Sequence, residues 1–404
     1  MTLELEKLTE PIERMAQGAA QRRDNENVLL DALLQKLREN RTAWEKIEKA
    51  VDTAKGTLDM KWYRSARPLN HDEPLDAAIG VPPPPPQATL VACDGSQIVP
   101  NRHASFLYSV INVGIIAYHH GERRAPSQDT LPVLDFPGNG EEEAAFVDNA
   151  AIISLRRDLA EIETLVRSAE PYCTTGAPVV ALLDQRLLYW PVGSSGDDEG
   201  QRVLFGWQRA MNEAARSNCM LTGYIDRPGK RSLLTFLRTL DINRAGFDSS
   251  VLLKPEYGPG FNDVSLFRRV LHEPGQRSAV FVDVSQHNDA FRGRHLHNEV
   301  CFFYLNAGRR GQQIARVDIP RWVAEDPNKV RAVHALVYDQ CQIMGNYPYV
   351  LARADELAVI GYQDRENLDI MIENAMARLD VGGSVTAKQS SKDVARAGRT
   401  RHAI

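Results

Sequence analysis

Asp94 and Asp184 each close a run of apolar residues, Ala88-Thr-Leu-Val-Ala-Cys93 in one case and Val179-Val-Ala-Leu-Leu183 in the other. Such runs predict buried β-strands, and a carboxylate at the carboxyl end of a buried strand stands where open α/β sheets keep their sites. Between the two lies a helical pattern carrying Asp158, Glu161 and Glu163. Three or four carboxylates brought together would hold hard cations such as Mg²⁺ or Mn²⁺. Two such ions ~3.5–4 Å apart can stabilise both the attacking and the leaving oxygen of a phosphodiester. A lone Asp at a strand end is more often a cap or turn residue. The order strand-Asp, helix-Glu, strand-Asp brings the metal reading level with that plainer one.

The elements that must position these acids can be read along the chain. From about Leu8 to Val51 the pattern is helical: Leu30, Leu37, Trp44 and Val51 recur at intervals of seven, Leu33, Leu34 and Ile47 fill the alternate seam, and Asn40 and Arg41 interrupt it. That pattern fits an amphipathic arm packed on its own domain and an intermolecular coiled coil equally well. The prolines of Pro82–Pro86 predict a stiff spacer. The strand ending at Asp94 should be followed by a turn at Gly95-Ser96 and by further strands within Ser105–Tyr118. Helices are expected over about 143–169, 202–215, 232–240, 329–344 and 366–379, and strands over 179–184, 220–225, 279–284, 300–305 and 314–319. The class is α/β with a mixed sheet. The last residues, 382–404, are polar and carry Lys388, Lys392, Arg396, Arg399 and Arg401. They predict a disordered basic tail, whether merely solvated or touching DNA.

A net charge of −5 and a pI near 6.1 leave nucleic-acid binding to a local patch rather than to overall basicity. Arg227, Lys230 and Arg231 cluster after a predicted strand, Arg309 and Arg310 fall on an expected loop, and Arg186 follows Asp184 closely; each could meet a phosphate or stay a solvated cation. Five cysteines without a Cys-x-x-Cys pair argue against a zinc site and against a secreted disulfide framework. The acidic start, with Glu4, Glu6 and Glu10, and the lack of an apolar run of about 20 residues predict a cytoplasmic protein that is neither exported nor membrane-spanning. His287, His295 and His297 flank a stretch, 285–298, that is expected to be a surface loop rather than a zinc site.

The string Val91-Ala-Cys-Asp-Gly-Ser-Gln-Ile-Val-Pro-Asn-Arg-His103 resembles the opening block of NurA nucleases, particularly their bacterial branch. Four more blocks are similar to that family in the same order: Arg157-x-x-x-Glu161, Gly223-Tyr-Ile-Asp-Arg-Pro228, Ile314-Ala-Arg-Val-Asp-Ile-Pro-Arg-Trp322, and the stretch from Asn346 to Glu356 that contains Tyr347 and Asp355. The resemblance covers about Thr89 to Leu379. It implies an RNase H-like mixed sheet flanked by helices. It further implies a manganese- or magnesium-dependent DNA nuclease with 5′ to 3′ exonuclease and single-strand endonuclease activity. By the same resemblance the protein would act as a homodimer in DNA end resection and repair, with a HerA-type hexameric translocase. Carried over by block, Asp94, Glu161 and Asp184 correspond to metal-binding acids. Tyr347 corresponds to a tyrosine that either orients a phosphate or water or simply packs.

Two departures stand out: Asp184 is followed by Gln185-Arg186 where Gly-Ser is common, and Asp355 stands where many members carry histidine. Asp355 would then be a fourth ligand, or no ligand. The competing function is a catalytically weak adaptor that binds the translocase and DNA ends, and cleavage of RNA or RNA–DNA hybrids is chemically compatible with the same acids. The expected organisation is a helical arm over 1–80, a Pro-rich linker over 81–87, a nuclease domain over 88–380 and the tail over 381–404.

Overall fold

A computed structural model of the chain describes residues 4–101, 106–138, 149–190, 198–253 and 260–380. The expected basic tail and the first residues of the helix expected over 143–169 lie outside the described residues. In chain order the strands are β1 (Ser65–Pro68), β2 (Ala88–Ile98), β3 (Ser109–His120), β4 (Ser127–Asp135), β5 (Val179–Leu183), β6 (Met220–Ile225), β7 (Phe281–Val284), β8 (Val300–Asn306) and β9 (Ile314–Pro320). The helices are α1 (Thr9–Glu39), α2 (Trp44–Thr57), α3 (Ala150–Ala169), α4 (Asp198–Arg216), α5 (Ser232–Thr239), α6 (Asp263–Phe267), α7 (Gln286–Arg294), α8 (Arg321–Ala324), α9 (Pro327–Met344), α10 (Tyr349–Ala358) and α11 (Tyr362–Arg378). These elements form two compact units, the first from residues 1–86, 184–188 and 220–349, the second from 87–183, 189–219 and 350–404.

In the first unit the strand order is β1-β7-β8-β9-β6, with every pairing antiparallel. Its core joins Leu30, Leu33, Leu34 and Leu37 of α1 and Ile47 and Val51 of α2 to Leu233, Phe236 and Leu237 of α5, with Phe281, Phe302 and Tyr304 of the sheet beneath. Removing one such leucine from water is worth roughly 1.5–3 kcal/mol. The heptad seam is therefore satisfied inside the unit. Asn40 and Arg41 interrupt it because the chain turns there from α1 into α2. Of the two readings left open for the arm, the seam from Leu30 to Val51 is packed on its own unit, whereas Ile12, Met15 and Val28 earlier in α1 are exposed. The proline run marks the point, after Pro86, where the chain passes to the second unit.

In the second unit the order is β5-β2-β3-β4: β2, β3 and β4 form an antiparallel meander, and β5 lies parallel to β2. A parallel neighbour requires a crossover, and α3 supplies it between β4 and β5. Three meandering strands, a helix and a strand parallel to the first open an RNase H-like core, so the mixed sheet with flanking helices is present as expected.

Three local expectations differ from the structure. No turn occurs at Gly95-Ser96, because β2 continues to Ile98 with Gly95 opposite Val113 and Ser96 opposite Asn112, and cross-strand pairing overrides the turn tendency of the two residues. Strand β4 gave no signal, since nearly all of it is exposed and Pro132 sits within it. The stretch expected to be a loop at 285–298 contains α7, started by Ser285, whose hydroxyl accepts from the Asn288 N–H.

Candidate metal centre

Asp94 sits where β2 passes from fully buried to half-buried residues, paired with β3 and one residue past the end of the ladder with β5, so its backbone is fixed while its carboxylate reaches the edge of the core. One Asp94 oxygen accepts the N–H of Gly95 at 2.8 Å. Directly across the antiparallel pair stands Gly114, and two residues further along Ser96 faces Asn112.

Helix α3 runs along β2 and offers it one face. Gln97 donates to the Ser154 hydroxyl at 2.9 Å, and one to two turns on, Arg157 and Glu161 lie over Gly95. A Cβ on Gly95 would stand 2.5 Å from a Glu161 carboxylate oxygen and 2.9 Å from the Arg157 side chain. Glycine here is the condition for bringing a helix carboxylate beside the strand. The spacing of 154, 157 and 161 is the i, i+3, i+7 stripe of one helix face. Glu161 is only 6% exposed, and its charge is met by Arg157 at 3.2 Å, which also holds Asp158 at 2.9 Å. The three acids of α3 thus part company. Asp158 accepts from the Tyr189 hydroxyl at 3.0 Å, and Glu163 pairs with Arg209 of α4 at 2.5 Å. Glu161 alone of the three meets Gly95.

Asp355 arrives by a second close approach. A Cβ on Gly114 would meet the backbone of α10 at 2.5 Å from the Ala358 nitrogen and 2.6 Å from the Ala354 oxygen. The last carbonyl of α10, that of Ala358, accepts from the Ser96 hydroxyl at 2.5 Å and from the Asn112 amide at 2.8 Å. The helix is therefore clamped against β3 directly opposite Asp94, and Asp355, exposed on α10, stands beside the Asp94 carboxyl.

Burial raises the Asp94 pKa above the ordinary aspartate range, the neighbouring Asp355 carboxyl raises it further, and the Gly95 N–H and Arg157 only partly offset this. The cluster thus carries more negative charge than its surroundings neutralise. A hard divalent cation takes carboxylate oxygens and would relieve that like-charge contact, so the residue types suit one. Among the described residues, no three His, Cys, Asp or Glu side chains are gathered closely enough to hold a metal ion, and one acid of the set, Glu161, is paired with the Arg157 guanidinium instead.

The NurA domain family model matches residues 88–360, more than half of the chain. The chain belongs to the NurA domain family. The NurA span begins at Ala88, the first residue of β2, and ends two residues beyond α10, so it contains Asp94, Glu161 and Asp355 with the elements that carry them. Among solved structures, the chain is similar to the NurA nuclease from Sulfolobus solfataricus, with 14% identity, a TM-score of 0.46 and coverage of 83% of this chain and 94% of that one. It is also similar to a NurA structure with manganese, at 12% identity and a TM-score of 0.43, covering 91% of this chain and 98% of that one. For the catalytic domain of human endonuclease V, identity is 13%, the TM-score 0.32 and the coverage 73% and 85%. No curated protein matches the chain significantly.

Within this NurA domain the three letters of Asp-Gly-Ser have separate tasks: an acid, a clearance for Glu161, and a hydroxyl that fastens α10. Sequence reasoning missed Gly114 and Asn112, whose signal lies only in their register opposite Asp94 and Ser96. The remaining candidates belong to the first unit. Asp184 is exposed and directly follows Leu183, the β5 residue registered with Cys93. Arg186 is exposed. Tyr347 sets its ring edge-on to Tyr224, with centroids 5.6 Å apart. Lys230 is tied to buried Asp283 at 2.8 Å, Arg231 donates to the Phe261 carbonyl at 2.9 Å, and Arg227 is 92% exposed beside Asp226. His295 and His297 stack on each other, and His297 meets Trp322 edge-on.

Proposed function

We propose that the protein is a divalent-metal-dependent nuclease that hydrolyses DNA phosphodiesters. The observation that supports this reading is that Asp355 stands beside the Asp94 carboxyl while Glu161 lies against the adjacent Gly95, through close approaches that glycine allows at Gly95 and at Gly114. Mn²⁺ or Mg²⁺ held there would lower the pKa of a bound water and counter the charge that develops on the phosphate. Asp94, Glu161 and Asp355 would hold it, and Asp184 would join them. The register supports this last assignment, because Asp184 and Asp94 each follow the final pair of the β2–β5 ladder, Leu183 and Cys93. Arg157 pairs with Glu161 and would be a cation at hand for a phosphate entering the cluster. Tyr347 would orient a phosphate or water, and Arg186, Arg227, Lys230 and Arg231 would bind the strand.

Family membership supports the finer reading: 5′ to 3′ exonuclease and single-strand endonuclease action in DNA end resection, as a homodimer with a HerA-type hexameric ATPase. Among the described residues no helix is long and apolar enough to cross a membrane, and all five cysteines are free, which suits a reducing cytoplasm. The test is a cleavage assay of labelled DNA, RNA and RNA–DNA hybrid with Mn²⁺, Mg²⁺ or EDTA. Degradation of single-stranded DNA that needs the metal is expected, and a folded chain that cleaves none of the three under either metal would end the proposal in favour of an adaptor.

A further inference from the structure

The helix that opens the first unit is buried only in its later part. From Leu30 onward α1 feeds the unit's core, whereas each of residues 4–17 is exposed. A single turn of 3₁₀ helix, Leu5–Leu8, leads into α1 without a break. Along this stretch Leu5, Leu8, Ile12 and Met15 recur at intervals of three, four and three, which gathers them into one stripe. Leu5, Ile12 and Met15 are 68%, 54% and 66% exposed. Large apolar side chains lined up in water mark a contact surface rather than a core. Gly18 weakens the helix further, and a solitary helix of about 20 residues is only marginally stable in water, so a partner along the stripe would hold it.

The charges indicate what that partner is. Residues 4–13 carry a net −3, from Glu4, Glu6, Glu10 and Glu13 against Lys7, and residues 14–23 carry a net +3, from Arg14, Arg22 and Arg23. Lys7 pairs with Glu4 and Arg14 with Glu10 at 3.8 Å, but such exposed pairs are weak, and Glu6 and Glu13 have no basic partner among the described residues. Two copies of this stretch laid in the same direction set acid against acid. Laid in opposite directions, they set each acidic block against a basic one. We infer that residues 4–23 pair antiparallel with the same residues of a second copy of this chain, in a two-fold contact. The stripe supplies the register: Ile12 meets Met15 of the second copy, Leu8 meets Ala19, and Leu5 lies at either rim. In that register Glu13 stands level with Arg14 of the second copy, and Glu4 with Arg23. The paired stretch is about 30 Å long and ends seven residues before Leu30, so each helix stays clear of the other copy's core. A lipid or nucleic-acid phosphate surface suits the stripe less, because the acidic block would face it.

The inference rests on the homodimer reading and names its contact surface. Sedimentation equilibrium of the full chain over a dilution series compares the wild type with Ile12→Glu/Met15→Glu. The dissociation constant should rise at least roughly tenfold, since four carboxylates would be drawn into an apolar seam. Thermal melts should not change, because both side chains are exposed in the single chain. Direction is read from Leu8→Cys/Ala19→Cys under mild oxidation, with the wild type as the control for its own cysteines. An antiparallel pair links position 8 of one chain to position 19 of the other. A parallel pair links 8 to 8 and 19 to 19, and trypsin separates the two outcomes because Arg14 lies between the positions. A dimer as tight in folded Ile12→Glu/Met15→Glu as in the wild type would overturn the helix pairing and leave the homodimer reading standing. A wild type that is monomeric at every concentration would end both. Links from 8 to 8 would overturn the antiparallel arrangement. If the double variant keeps the dimer but loses co-sedimentation with phosphatidylglycerol vesicles, the stripe faces lipid and the second-copy assignment is wrong.

Discussion

Each unit gathers charged side chains in or near its core, yet the two groups are arranged in opposite ways. In the first unit Arg316, 2% exposed, donates to fully buried Asp318 at 2.6 Å, reaches Asp283 at 3.4 Å and lies 3.7 Å from the Phe302 ring centroid. Lys230 completes the pairing, and its charge with that of Arg316 holds the Asp283 carboxyl well below the usual range although burial pushes the other way. In the second unit Asp94 moves upward instead, because burial raises it, Asp355 adds a like charge and Arg157 is shared with Asp158 and Glu161. A buried network that closes on itself can hold a fold together, and a cluster that remains under-neutralised is built to receive something.

The sharpest way to break this contrast is Asp94→Ala. We expect metal-dependent cleavage to fall roughly 10³-fold or more, about 4 kcal/mol of barrier, with a melting temperature equal to or above wild type because a like-charge contact is lost. A folded variant with wild-type cleavage removes Asp94 from the chemistry. Arg316→Ala should do the reverse. Stranding Asp318 and Asp283 should cost about 3–5 kcal/mol of stability in urea titration, and loss of less than about 1 kcal/mol would show that the network is not closed.

Next in size is the pair of glycines. At Gly114 a methyl group meets the backbone of α10, which cannot yield as a side chain can, so Gly114→Ala should cost on the order of 3 kcal/mol and displace Asp355. At Gly95 the obstacle is the Glu161 carboxylate and the Arg157 side chain. Gly95→Ala should therefore cost stability less, about 1–2 kcal/mol, while cleavage still falls roughly 10–100-fold as Glu161 is pushed from Asp94. Equal melting temperatures for the two variants would contradict the distinction between backbone and side-chain obstacles.

These glycines also mark how far the sequence could be read. Asp94 and Asp184 were legible because continuous apolar runs announce buried strands and because each acid ends one. The heptad leucines were legible as a buried seam, but periodicity is the same whether the seam meets α5 or another chain, so the choice had to come from the packing. Periodicity could not tell Glu161 from Asp158 and Glu163, since all three lie within two helical turns; the family resemblance picked it out, and the packing of α3 on β2 puts it against Gly95. Asp355 was harder still. Its block gave no helical pattern strong enough to predict α10, and its nearness to Asp94 depends on Gly114, whose meaning exists only in the β2–β3 register. Family resemblance supplied what periodicity lacked there.

The most gradual expected effect probes the first unit's network through pH. Asp263 is fully buried, where it accepts the N–H groups of Leu233 and Leu234 at 3.1 Å and the Tyr304 hydroxyl at 2.8 Å, and burial pushes its pKa up to about 6 despite these bonds. A raised folded-state pKa means that between about pH 4 and pH 6 the folded chain holds a proton the unfolded chain has released. The stability owed to this group is present below that window and is lost as pH rises through it, with a slope of at most about 1.4 kcal/mol per pH unit. Asp263→Asn preserves an acceptor for the two N–H groups and has no such titration. Urea midpoints measured from pH 4 to pH 7 should therefore decline in the wild type relative to the variant, and parallel curves would mean that Asp263 stays ionised, balanced by the same network that holds Asp283.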